Sequence, residues 1–177
     1  PFTRMLAGST DYHLGGFRAL PVSKFIIQER KPYVMGTRCH MLAMYVVLEN
    51  YQGMVCDNPD AYIGEPGFEV LQNMPTIWDE THVPNAEVGK FISIARRKND
   101  SWYVGTITDS TAREITINLG FLSAGKYRAA IYSDAADASE NANHLTKRTI
   151  IVDKATVLKL VLVSGGGNII VLNKIKN

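Results

Sequence analysis

Strict alternation governs the second half of this chain. Ile115, Ile117, Leu119 and Phe121 are separated by single intervening residues, and Tyr127, Ala129 and Ile131 repeat the pattern. A period of two places every second side chain on one face of a strand, so these segments are strands with one buried face. Further extended runs cover Phe91 to Arg96, Trp102 to Ile107, Thr149 to Val152, Val157 to Val163 and Ile169 to Leu172. Lys98-Asn99-Asp100-Ser101 reads as a hairpin turn, and Gly165-Gly166-Gly167 as another. About seven strands, with turn signals roughly every 8–12 residues, predict an antiparallel β-sandwich with one face of each sheet buried.

The first half follows another rule. Arg4-Met5-Leu6-Ala7 reads as a buried strand ending at Gly8, and Met54-Val55-Cys56 as a second. Gly15, Gly16, Pro21 and Pro32 break the segment after the first strand into a long loop, a feature that is usually functional or mobile. Thr37 is placed to cap a helix running to about Tyr51, apolar on nearly all sides through Met41, Leu42, Met44, Tyr45, Val46 and Leu48. After Asp57-Asn58-Pro59, a shorter helix from Glu65 to Asn73 turns Phe68, Leu71 and Val70 inward. Strand, loop and helix, twice over, is the repeating unit of a parallel α/β fold. Pro84, Asn85 and Gly89 mark a loop between the halves. The expected organisation is α/β over 1–82, a linker over 83–88 and an all-β domain over 89–177.

Charge changes at the same boundary. Up to Val88 there are six Lys/Arg against ten Asp/Glu, and from Gly89 onward thirteen against seven. The whole chain is nearly balanced at +2, so neither a nucleic-acid groove nor an anionic membrane surface is expected as a partner. The longest apolar stretch, Met41 to Leu48, is far short of the roughly 20 residues of a membrane span. No basic-then-apolar leader opens the sequence, which begins Pro1-Phe2-Thr3 as though inside a folded element.

Reacting groups in parallel α/β folds sit just past the carboxyl ends of the strands. Asp11 follows the first predicted strand and Asp57 the second, with Tyr12 and Asn58 beside them. Paired carboxylates across a pocket suit glycoside hydrolysis, one protonating the leaving oxygen while the other activates water or attacks. The structural alternative is that Asp11 ends a strand and Asp57 or Asn58 caps a helix. Trp78-Asp79-Glu80-Thr81 joins an aromatic to two acids, as a sugar platform or metal site would, or as a rigid helix exit with Trp78 packed between domains. His13, His40, His82 and His144 have no metal-ligand spacing, and only His13 lies on a strand-end loop. Cys39 and Cys56 read as two free thiols rather than a disulfide. The glycine triplet is not followed by a helix and lacks the Lys-Ser/Thr ending of a phosphate loop. Asn99-Asp100-Ser101 matches a glycosylation pattern that its turn composition already explains.

Pro1-Phe2-Thr3-Arg4-Met5-Leu6-Ala7-Gly8 followed by Asp11-Tyr12 resembles glycoside hydrolase family 97. The resemblance continues through Thr37-Arg38, Leu42-Ala43, Met54 with Asp57 and Pro59, Pro75-Thr76-Ile77-Trp78-Asp79-Glu80-Thr81, Ile94-Ala95-Arg96-Arg97-Lys98, Trp102-Tyr103-Val104-Gly105 and Gly165-Gly166-Gly167. It implies an enzyme of α-glucosidic or α-galactosidic bonds, α-glucosidase favoured, with a calcium-binding (β/α)8 barrel followed by a C-terminal β-sandwich, periplasmic or secreted. On that basis residues 1–82 are the last two βα units of the barrel, and the remainder of the same polypeptide and an oligosaccharide substrate are the partners. The family's general acid and calcium-ligating glutamates lie upstream of Pro1 to Met5, so no catalytic or metal-binding residue is assigned. Asp11, Tyr12 and Asp57 are the substrate-pocket candidates. Where the family reads Gly-Pro-Met-Asp-Tyr-Thr-Pro-Gly, this chain has Gly8-Ser9-Thr10-Asp11-Tyr12-His13-Leu14-Gly15, a change on the pocket-facing loop. A barrel needs about 250 residues, so a chain of 177 is expected to be a piece of a hydrolase, inactive without the upstream barrel. A stand-alone carbohydrate-binding or structural module is the alternative.

Overall fold

The computed structural model describes residues 1–28 and 31–176. Two short parallel strands, β1 (Ala19–Leu20) and β2 (Val34–Met35), precede helix α1 (Arg38–Val47), and a short helix α2 (Phe68–Gln72) follows. Eight strands complete the chain: β3 (Glu80–Glu87), β4 (Phe91–Lys98), β5 (Ser101–Thr108), β6 (Arg113–Asn118), β7 (Tyr127–Asp134), β8 (Leu145–Val152), β9 (Val157–Leu162) and β10 (Gly167–Lys174). Six of them form one antiparallel sheet in the order β3-β4-β5-β10-β7-β8, and β6 pairs with β9 in a second. The inner faces share a core built on Trp102, Val104, Ile115, Ile117, Leu119, Ile131, Leu160 and Ile170.

The expected β-sandwich is therefore present, with two differences. Strand β3 occupies residues 83–87, which the sequence predicts as linker. Pro84 disguises it, because proline cannot donate to a ladder and belongs only on edge strands or at bulges. Both conditions hold here: β3 is an edge strand, and its register against β4 shifts between His82 and Asn85. The second difference is burial. Strands β6 and β9 bury alternate residues, as a one-sided sheet should, whereas residues 92–96 of β4 and 102–106 of β5 are buried without interruption. Continuous burial means that both faces are covered. The outer face, through Tyr103, Tyr132 and Ile169, packs against Phe17, Met41, Leu42, Val46, Tyr62 and Val70.

Helix α1 begins as predicted, the Thr37 hydroxyl oxygen accepting from His40 N at 3.1 Å. It stops at Val47, short of Tyr51, and Arg96 Nε donates to the carbonyl of Val46 at 2.7 Å. Its backbone comes down directly on the sheet. A Cβ at Gly105 would lie 2.6 Å from Ala43 O and 2.9 Å from Val46 Cβ, and one at Gly167 would lie 2.5 Å from His40 N. At the amino end, Thr37 N donates to Gly165 O (3.0 Å) and Arg38 N to Ala142 O (2.8 Å). The glycine triplet is therefore not the hairpin turn expected from sequence: it carries the chain from β9 in the smaller sheet to β10 in the larger, and it is the seat of the helix.

The two predicted strands of the first half are not formed. Arg4–Ala7 is one 3-10 turn with no buried residue, and Leu6 is 85% exposed. A strand needs a neighbour for its N–H and C=O groups. None pairs with this segment among the described residues, and its backbone bonds locally, Leu6 N to Thr3 O (3.1 Å) and Gly8 N to Met5 O (3.2 Å). Met54-Val55-Cys56 reduces to a single parallel bridge between Met54 and His13, with Met54 and Val55 exposed. Helix α2 is shorter than predicted; Val70 is buried, and Phe68 and Leu71 are partly buried against the same cluster.

Asp134, at the end of β7, is half-buried as a residue, with its carboxylate enclosed under the start of α1. Its Oδ2 accepts from Gly167 N (3.1 Å) and Val163 N (3.3 Å). Burial outweighs these donors and the neighbouring Thr37 hydroxyl, and pushes its pKa up to about 6. A raised carboxyl pKa means that the native state holds a proton the unfolded chain has released. This contribution is complete below the ordinary value of 3.8 and is lost as pH rises through about 6.

Two measurements test this account. Gly105→Ala should destabilise the protein by about 2–3 kcal/mol in urea unfolding, because backbone cannot yield to the new methyl. Gly53→Ala, whose added Cβ meets nothing nearer than 3.8 Å, should change stability by less than about 0.5 kcal/mol. Between pH 4 and 7 the stability of Asp134→Asn relative to the unsubstituted protein should rise by about 2–3 kcal/mol, followed as paired unfolding curves.

Candidate functional site

The two loops expected to carry chemistry are held in different ways. In the first, Thr10 N donates to Glu49 O at 2.8 Å, just beyond the end of α1. Asn50 Nδ2 donates to Tyr12 O, and the Tyr12 hydroxyl to Met44 O, both at 3.5 Å. The Tyr12 ring lies 6.0 Å from that of Tyr45. Burial pushes the Tyr12 phenol up to about 12, against the pull of the nearby Arg96 charge, so the hydroxyl is a neutral donor at any physiological pH. Asp11 is exposed, and its carboxylate has no hydrogen-bond or ion-pair partner among the described residues. Tyr12, Tyr45, Asn50, Val55, Met74 and Thr76 are among the residues around a small cavity of about 90 Å³.

In the second loop, Asp57 adopts a left-handed backbone conformation (φ 85°), which Asp tolerates better than most residues. Its Oδ1 accepts from Asn58 N at 2.7 Å, and its Oδ2 lies 3.1 Å from Arg18 Nη1, with only 6% of the side chain exposed. Of Asp57 and Asn58, the two residues offered by the structural alternative as a helix cap, Asn58 is the one that caps, its Oδ1 accepting from Asp60 N (3.2 Å) at the short 3-10 helix Pro59–Ala61. Counted in parallel from the His13–Met54 bridge, Asp57 falls opposite Gly16, whose missing Cβ would sit 3.3 Å from the carboxylate. Asp11 falls opposite Gln52 by the same count. The two acids are therefore offset along the paired segments, and Asp57 is closed in by Arg18 outside the cavity that Tyr12 lines.

The other candidates have structural roles. Trp78 packs edge-on against Tyr103 (5.3 Å). Asp79 pairs with Lys98 and Arg97 and accepts from Asn99 N, while Glu80 pairs with Arg97 and His82. Hydrogen bonds, led by the Asn99 N–H for Asp79 and by His82 for Glu80, hold both carboxyls below the usual range, with the neighbouring basic side chains adding to the effect. His40 is half-buried, its Nδ1 3.1 Å from Gly166 O, and the enclosure of its ring lowers its pKa. His144 contacts Asp137. Cys39 and Cys56 are free thiols. No group of three or more His, Cys, Asp or Glu side chains among the described residues converges to hold a metal ion.

Three arginines that sequence reasoning passed over organise the region. Arg18 pairs with Asp57. Arg38, 2% exposed, lies over the Phe17 ring (4.3 Å), pairs with Glu65 and donates from Nη2 to Asn143 Oδ1 (2.9 Å). Arg96 joins β4 to α1. Arg38 carried a readable signal, since a cation in the first turn of a helix opposes the macrodipole and implies a tertiary partner.

A two-sheet antiparallel sandwich whose larger sheet is roofed by a helix defines the class of fold. Residues 77–173 match the family described as glycosyl-hydrolase 97 C-terminal, oligomerisation. The chain is 37% identical over 168 residues to a retaining alpha-galactosidase of Bacteroides thetaiotaomicron, a match covering 94% of this chain and 25% of that protein. A family 97 glycoside hydrolase variant of Pseudoalteromonas sp. strain K8, solved in complex with panose, superposes with a TM-score of 0.84 at 33% identity, covering 98% of this chain and 27% of that one. A beta-arabinopyranosidase shares the fold over 80% of this chain and 22% of its own (TM-score 0.67, 23% identity). The chain belongs to glycoside hydrolase family 97 and spans about a quarter of the length of these relatives.

Arg18→Gln should leave the Asp57 carboxylate buried without its counter-charge and destabilise the protein by about 2 kcal/mol, less than for a fully buried pair because Arg18 is partly exposed. Adding Asp57→Asn should recover part of the loss, measured as a double-mutant cycle in urea.

Proposed function

We propose that this chain is the C-terminal part of a retaining α-glycosidase and acts with the remainder of the same polypeptide on oligosaccharides. The observation that carries the reading is the match of 94% of this chain to a quarter of a retaining alpha-galactosidase. In this reading residues 1–82 supply the last two βα units of a (β/α)8 barrel, and the sandwich follows. Three features support it: the chain order of Arg4–Ala7, α1, Met54-Val55-Cys56 and α2, the parallel bridge between His13 and Met54, and the exposure of Leu6, Met54 and Val55. Such a row of uncovered apolar residues along unpaired backbone is what barrel strands present without their neighbours.

Asp11 and Tyr12 line the sugar pocket, the free carboxylate accepting from substrate hydroxyls and the phenol, its one proton directed to Met44 O, offering an acceptor oxygen. Asp57 acts through Arg18, which it holds in place. The relative's name favours α-galactosides as substrates, where the family resemblance favoured α-glucosides. The acid, the nucleophile and a calcium site belong to residues outside this sequence, and the described residues bring no ligand set together for the ion. A periplasmic or secreted location follows from the same family reading; the structure adds that no helix among the described residues is long and apolar enough to cross a membrane.

In the full-length protein, Asp11→Asn and Tyr12→Phe should each lower kcat/KM on an aryl α-galactoside by tenfold or more, about 1.4 kcal/mol of transition-state stabilisation. Unchanged kcat/KM in both variants overturns the pocket assignment.

A further inference from the structure

Arg96 belongs to the sandwich by sequence and to the loop region by its contacts. It lies on β4, 4% exposed, where an unpaired guanidinium would be costly. Nε donates to Val46 O at 2.7 Å, Nη1 donates to Thr81 Oγ1 at 3.0 Å, and Nη1 lies 3.9 Å from Glu49 Oε2. Val46 is in the last turn of α1, and Glu49 and Asn50 follow directly. Those two residues carry the hydrogen bonds that hold the first loop: Thr10 N to Glu49 O at 2.8 Å and Asn50 Nδ2 to Tyr12 O at 3.5 Å. Arg96 is thus linked through the end of the helix and the short backbone step from Val46 to Glu49 and Asn50 to the backbone on either side of Asp11.

We infer that Arg96 is a positioning residue, through which the C-terminal sandwich sets the place of the Asp11–Tyr12 loop in the sugar pocket. The inference rests on the pocket reading above and adds to it a function for the sandwich. The geometry requires arginine. Its planar fork presents Nε to a backbone carbonyl and Nη1 to a hydroxyl at once, whereas the compact ammonium of lysine reaches one of them. The carbonyl contact anchors the end of the helix from which Glu49 and Asn50 hold Thr10 and Tyr12, the Thr81 contact fixes the guanidinium that makes it, and displacement of substrate-contacting groups by about 1 Å is enough to slow a reaction strongly.

The test is steady-state kinetics of the full-length protein on an aryl α-galactoside, with folding checked by circular dichroism at the assay temperature. Arg96→Lys should lower kcat about tenfold with KM changed less than threefold. Thr81→Ala, which removes the second anchor and leaves the carbonyl contact, should lower kcat about threefold and keeps the test alive if the lysine variant does not fold. Ile117→Val, a mild cavity in the sandwich core, should leave kcat unchanged, because general loosening of the domain is not the cause. A wild-type kcat in folded Arg96→Lys, or in Thr81→Ala if the lysine variant fails to fold, overturns the inference, as does an equal loss in Ile117→Val. If Asp11→Asn and Tyr12→Phe are silent in the same assay, the pocket reading itself has failed. If they are impaired while Arg96→Lys is not, only the role of Arg96 falls.

Discussion

Helix α1 lies backbone to backbone on the six-stranded sheet, and the rest of the molecule is organised by that contact. Gly105 and Gly167 make it possible, since a Cβ at either position would lie under 3 Å from atoms of the helix. Once the backbones touch, Met41, Leu42 and Val46 can bury themselves fully against Tyr103, Tyr132 and Ile169. Full burial of each such side chain contributes about 1.5–3 kcal/mol. The same contact covers what would otherwise be a large apolar patch on the outside of the sandwich. It also explains why the central strands are buried on both faces while β6 and β9 keep the alternation of a one-sided sheet.

Polar groups fix where along the sheet the helix sits. At its amino end, Gly165 O and Ala142 O take the N–H groups of Thr37 and Arg38, and Asp134 closes the turn beneath. At its carboxyl end Arg96 takes the carbonyl of Val46. Helix termini leave backbone groups without intrahelical partners, and here the sandwich supplies the partners at both ends. The helix is thereby a fixed platform for the loops that run over it, and the Thr10–Tyr12 segment is bonded to residues immediately beyond its last turn.

Much of this was legible beforehand. The alternation through Ile115, Ile117 and Leu119 and through Tyr127, Ala129 and Ile131 locates a buried face wherever the strands pair, because it depends only on the period of an extended chain. Thr37 as a cap and Asn58 as another follow from side chains bonding to backbone two or three residues away. What could not be read were relations between distant segments. Pro84 hid an edge strand, since edge and interior are properties of the sheet and not of the residue. Asp11 and Asp57 look equivalent in sequence; their offset is set by a single bridge at His13, and the closure of Asp57 by Arg18, thirty-nine positions away.

The sequence by itself determined the antiparallel sandwich, the start of α1 and, through its motif blocks, membership of the family, because each rests on local periodicity, local hydrogen bonding or residue identity. Only the tertiary structure decided that the two halves form one layered body, that three arginines organise their junction, and that the first-half strand segments make a single bridge, His13 to Met54, among the described residues. The reason is physical: a strand is completed by its neighbour, a buried charge by its counter-charge and a glycine by the backbone that approaches it. In this chain those partners lie tens of residues away.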